Sequence, residues 1–153
     1  MQSFVKFVAA LALVGGATPA IAQVEPYQDY TVSEGLSRVT TVKVKANMMD
    51  YYLEGLRKTW VPSAEASKKL GHIESYAIYI SELPDSGDFN LMLAVRFANS
   101  SMLAPDKGRY DAFMREWGEA NEDANAKITS NVYPDIREIT GEYLVRELTL
   151  KPE

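Results

Sequence analysis

Between positions 89 and 97 every second side chain is a large apolar one. Leu91, Leu93, Val95 and Phe97 alternate with Asn90, Met92, Ala94 and Arg96. Successive side chains of an extended chain point to opposite faces, so this run predicts a strand with one face buried. Two further stretches share the period. Val42, Val44 and Ala46 alternate with Thr41, Lys43 and Lys45, and within 72–83 Tyr76, Ile78 and Ile80 alternate with Ser75, Ala77 and Tyr79. A last strand is read over 142–150, opened by Gly141. Pro84-Asp85-Ser86-Gly87-Asp88 is a dense turn signal, and strand, turn, strand predicts an antiparallel hairpin.

Helical spacing separates these strands. Asn47 stands where an N-cap belongs, and Met49, Tyr52 or Leu53, Leu56 and Trp60 then recur three and four residues apart. Pro62 lacks an N–H and crowds the preceding turn, so it is expected to interrupt this helix, with Gly71 as its stop. A second, long helix is expected from near Arg109. Its stripe is Tyr110, Phe113, Met114, Trp117, Ala120, Ala124 and Ile128, and Gly118 weakens the helix without ending it. Residues 131–140, with Pro134, read as a loop or short helix. The order is βαββαβ, which predicts an α+β, ferredoxin-like fold: a four-stranded antiparallel sheet with two helices on one face. The strands around Val42 and Leu91 lie in the middle of that sheet.

The N-terminus reads as an address. Lys6 precedes an apolar run over 7–14, followed by Gly15-Gly16, Pro19 and Ala20-Ile21-Ala22. A charged start, a short apolar region and an A-x-A site make a secretory signal peptide over 1–22, cleaved before Gln23. The run is too short for a permanent span. Residues 23–37 read as an exposed lead-in and 38–150 as one domain. The expected product is exported, periplasmic or secreted, with no stable membrane anchor after cleavage.

Composition narrows the chemistry. The chain has 16 basic and 21 acidic residues, net −5, and Lys6 leaves with the leader, so the mature part is more acidic still. Such a balance argues against nucleic acid as a partner. Without cysteine there are no disulfides, no lipidated thiol and no thiolate metal ligands, and His72, the one histidine, excludes a multi-histidine site within a subunit. No metal and no cofactor are expected. The sequence has no Gly-x-Ser-x-Gly elbow, phosphate-binding loop, dinucleotide-binding glycine set or His-Glu-x-x-His.

The chain resembles the dimeric α/β-barrel superfamily, and within it the small stress-responsive and NIPSNAP-like domains. The resemblance spans 38–150. It rests on Thr41-Val-Lys-Val-Lys-Ala46 running into Tyr51-Tyr-Leu-Glu-Gly-Leu-Arg-Lys-Thr-Trp60, on Phe89-Asn-Leu-Met-Leu-Ala-Val-Arg-Phe97, and on Tyr110-x-x-Phe113-x-x-x-Trp117. It implies a homodimer whose two sheets form a shared barrel, with any ligand between sheet and helices. Members include cofactor-free monooxygenases of aromatic substrates and haem-degrading enzymes. The latter resemble a pattern with histidine on a helix, whereas His72 follows a helix stop.

Three groups of candidate residues follow. Trp60, Tyr76, Tyr110, Phe113 and Trp117 are read as walls of an apolar pocket for a small apolar or aromatic molecule. His72 is the candidate general base, its unperturbed pKa being near ~6.5. Lys43, Lys45, Tyr79, Asn90 and Arg96, with Ala77, Met92 and Ala94, are expected on the sheet face away from the helices, as a dimer face or an anion site. The reading is an exported dimer that binds a small molecule. Its alternatives are a cofactor-independent oxygenase on an aromatic substrate and a structural envelope protein.

Overall fold

The computed structural model describes residues 24–83, 85 and 87–152. The expected signal peptide lies outside the described residues, as do Pro84 and Ser86 of the expected turn. Four strands form the main sheet: β2 (Leu36–Val44), β3 (Ser75–Ile80), β4 (Leu91–Phe97) and β5 (Arg137–Val145). Their order is β3-β4-β2-β5 and every pairing is antiparallel. β2 and β4 are central, as expected for the strands around Val42 and Leu91. This is the ferredoxin-like arrangement expected from the element order.

The helical layer is more divided than the sequence suggests. The first helical region is two helices, α1 (Met49–Lys58) and α2 (Trp60–Lys69), which meet at Thr59. Asn47 is not the N-cap. It turns the chain at φ 62, and Met48 takes the cap position without a side-chain bond. The second region is likewise broken into α3 (Lys107–Trp117) and α4 (Glu119–Asn131), with Gly118 between them at φ 84. A 3-10 turn, Ser100–Leu103, precedes α3, and α5 (Tyr133–Ile136) fills part of the expected loop.

Among the described residues, helices pack on one sheet face only. Val42, Val44, Leu91 and Leu93 bury against Tyr52 and Leu56 of α1 and Tyr133 and Ile136 of α5. Leu36 and Phe97 close a second cluster with Ala64 of α2 and Ile73. Each large side chain sealed in this way contributes about 1.5–3 kcal/mol. Arg137 lies over the rings of Tyr52 and Tyr133, 5.8 and 5.0 Å from their centroids.

The sheet margins also differ from expectation. Leu36, placed in an exposed lead-in, is 2% exposed and opens β2. Within the same lead-in, β1 (Tyr30–Val32) pairs with β6 (Leu148–Leu150). The last strand is therefore two: β5 starts at Arg137, and β6 leaves the main sheet after Arg146, which donates to the carbonyls of Ser33 and Glu34. The second strand is shorter than 72–83, because His72 N–H still bonds to Ser67 at the end of α2. Thr140 bulges out of β5, and its hydroxyl donates to Thr41, which is buried at the sheet centre. No helix among the described residues is long and apolar enough to cross a membrane.

Candidate functional site: a cavity between the sheet and helices α2 and α3

A cavity of about 360 Å³ opens where the sheet, α2 and α3 meet. Its floor is the helix-facing side of the central strands: Arg38 of β2 with Val95 and Phe97 of β4. One wall is α2, through Trp60, Ala64 and two serines, Ser63 and Ser67, continuing into His72 and Ile73. The opposite wall is Met102 with Arg109, Tyr110 and Phe113 of α3.

Local sequence explains this placement. Alternation sends positions 36, 38, 42 and 44 of β2 to the same face, so Arg38 points where Leu36, Val42 and Val44 do. Its guanidinium lies 5.9 Å from the centre of the Phe97 ring. Asp106 caps α3 by accepting the Arg109 N–H at 2.9 Å. That N–H bond is the largest cause holding the Asp106 carboxyl below its usual value, with the Arg109 and His72 charges adding to it. Arg109 donates to Ala104 O at 2.6 Å and more weakly to Ser101 O at 3.4 Å, which fixes its side chain along the wall.

The five aromatic candidates do not form one set. Trp60, Tyr110 and Phe113 line the cavity, although Tyr110 is largely exposed. Tyr76 stands behind Trp60, edge to face at 5.3 Å, and donates to Glu65 at 2.5 Å. That bond raises the Tyr76 phenol above its ordinary pKa. Tyr76 therefore braces a wall. Trp117 stacks at 5.3 Å on Phe113 but faces a separate recess between α2 and α3, beside the Lys69–Glu116 ion pair. Its indole N–H is buried without a partner among the described residues.

His72 comes to the cavity that the aromatics line, a convergence not visible from sequence spacing. Among the described residues its imidazole makes no hydrogen bond to a carboxylate or hydroxyl. General-base work needs such a partner to fix the tautomer and ring. No group of three or more His, Asp or Glu among the described residues is placed to hold a metal ion.

The third candidate group is divided. Lys43 and Lys45 border one recess at the end of β2, where Lys43 donates to Gly87 O at 3.2 Å. Arg96 pairs in register with Ser37 at the other end of the same strand and bonds to Glu74 at 3.1 Å. Six residues of strand separate them, roughly 20 Å. A single site of Lys43, Lys45 and Arg96 is therefore excluded by distance. Asn90 does not sit on the outward face: it is 7% exposed and extends the ladder beyond β4. Its side chain accepts from Val44 N–H and donates to Val44 O, both at 2.8 Å. Tyr79 does face outward, about half exposed, with Ala77, Met92 and Ala94 around it.

Arg38, Phe97 and Arg109 line the cavity without having been singled out as site residues from the sequence. For Arg38 the signal was present: a cation at the parity of the apolar set in a central strand.

Neither a family model nor a curated protein sequence matches this chain. Among solved structures it is similar to protein SO0527 from Shewanella oneidensis, at 12% identity over 78% of this chain and 98% of that one, with a TM-score of 0.49. It is also similar to HapK from Hahella chejuensis, at 9% identity over 77% and 97% of the two chains, TM-score 0.44. A dimeric ferredoxin-like protein of unknown function from Bacteroides fragilis NCTC 9343 is 12% identical over 79% and 100%, TM-score 0.39. The fold assignment rests on strand order and register.

Proposed function

We propose that this protein is an exported homodimer that holds a small apolar or aromatic molecule in the cavity between its sheet and helices α2 and α3. The observation that carries the reading is the cavity itself. Its volume of about 360 Å³ falls in the range of small-molecule sites, and Trp60, Phe97 and Phe113 supply aromatic walls. Binding without turnover is favoured over oxygenase-type catalysis because His72 has no orienting partner among the described residues. Export is supported by the charged, apolar and A-x-A segments of 1–22. Dimerisation is supported by the outward sheet face, where Val39, Ala77, Met92 and Ala94 form an apolar field that no helix of the described chain covers.

Native mass spectrometry of the protein recovered from periplasm tests the whole proposal. The expected species is a dimer of chains beginning at Gln23 that retains a small molecule, or takes up an added naphthalene-ring compound. A dimer that neither retains nor takes up such a molecule would overturn the ligand reading. Protein absent from the periplasm and retained in the cytoplasm with residues 1–22 still attached would overturn export.

A further inference from the structure

The cavity walls are aromatic and aliphatic, yet the charged groups among them are all of one kind. Arg38 and Arg109 line it, and no carboxylate does, in a chain where acids outnumber bases 21 to 16. The two arginines differ in what they already hold. Arg109 is bound to two backbone carbonyls and lies 3.4 Å from Asp106. Arg38 rests its guanidinium over Phe97 and forms no hydrogen bond or ion pair among the described residues. Glu142, paired in register with Thr40 on the neighbouring strand, borders an adjoining recess with Arg38 without forming an ion pair with it.

We infer that the ligand is an aromatic carboxylate, its ring packed between Trp60, Phe97 and Phe113 and its carboxylate taken by Arg38. This rests on the cavity reading above and specifies its ligand class. A guanidinium presents parallel N–H donors that match the two oxygens of a carboxylate, and an aromatic face beneath it keeps the fork oriented. The Arg38 stem lies on the floor beside apolar side chains, so its charged head stands at the cavity margin, where an anion meets it without deep burial. Arg109, fixed on the far wall and paired with Asp106, is not free to take the ligand's charge. A volume near 360 Å³ suits one or two fused rings bearing a short acidic group.

The test compares 2-naphthoate with 2-naphthamide, which share ring and shape but differ in charge. Each is titrated calorimetrically into the wild-type protein, Arg38→Gln and Arg38→Lys, with thermal melts confirming that the variants fold. The wild type should bind the carboxylate at least ~10-fold tighter than the amide. Arg38→Gln should bring the two compounds to nearly equal affinity, and Arg38→Lys should keep part of the preference. Equal binding of both compounds by the wild type, or a preference that survives Arg38→Gln, overturns the anionic ligand and leaves the cavity reading standing. Binding of neither compound by the wild type overturns both.

Discussion

Tyr52 is 2% exposed and meets Tyr133 edge to face, ring centroids 5.0 Å apart, with Arg137 above both rings. Burial is the largest influence on its phenol and outweighs the nearby guanidinium, so the pKa is pushed from 10.0 up to about 12. The folded chain therefore keeps a proton that the unfolded chain releases first. Its contribution to stability is complete below pH 10 and is lost as pH rises from there toward 12. Tyr133, also raised by burial, acts in the same direction. Urea midpoints measured from pH ~9 to ~11 should fall less steeply for Tyr52→Phe than for the wild type. Matching slopes would mean that another group titrates. Side-chain direction at this scale was legible wherever alternation governed it, which is how Val42, Leu91 and Leu93 could be assigned to the core. Alternation failed at Asn90, because the strand ends at Leu91 and the amide beyond it turns inward to bond Val44.

The elements divide where backbone chemistry obliges them to, and not always at the residue that draws attention. Pro62 has no N–H for the carbonyl of Lys58, so the helix parts at Thr59, three residues upstream. The Thr59 hydroxyl then bonds to Gly55 O at 2.9 Å and to the Tyr133 hydroxyl at 2.8 Å. A Cβ at Gly55 would stand 2.8 Å from the Tyr133 ring, so the absence of a side chain there permits this contact. Gly118 ends α3 at φ 84 and ψ 152, a region nearly closed to other residues. Nothing lies within 4 Å of a Cβ placed there, so the cost of Gly118→Ala is one of conformation alone. That variant should lose about 1–3 kcal/mol in urea unfolding. A variant as stable as the wild type would mean that α3 and α4 run through as one helix. Helical periodicity across 109–128 could not expose the break, since a glycine is tolerated in a helix at modest cost and its φ follows from the packing around it.

For the whole molecule the outward sheet face is the surface that sets assembly. Ala94 is its centre, opposite Val39 on one side and Ala77 on the other, with Tyr79, Tyr143 and Val145 exposed toward the margins. Two such faces stacked together would remove that apolar field from water, and a charge at the centre would oppose the stacking. Light scattering at micromolar concentration should give a dimer for the wild type and a monomer for Ala94→Arg. A dimeric variant would place the interface elsewhere, and a monomeric wild type would remove the dimer altogether. The βαββαβ order, the central position of β2 and β4 and the inward direction of Val42, Val44, Leu91 and Leu93 were determined by the sequence alone, because periods of two and of three to four are local properties of the chain. Only the tertiary structure decided that Arg38, His72 and Arg109 line one cavity, while Lys43 and Arg96 stand at opposite ends of a strand and Trp117 faces another recess. Those groups are brought together or held apart by strand register, by helix breaks and by the approach of α3 to the sheet, and these depend on contacts between residues far apart in the chain.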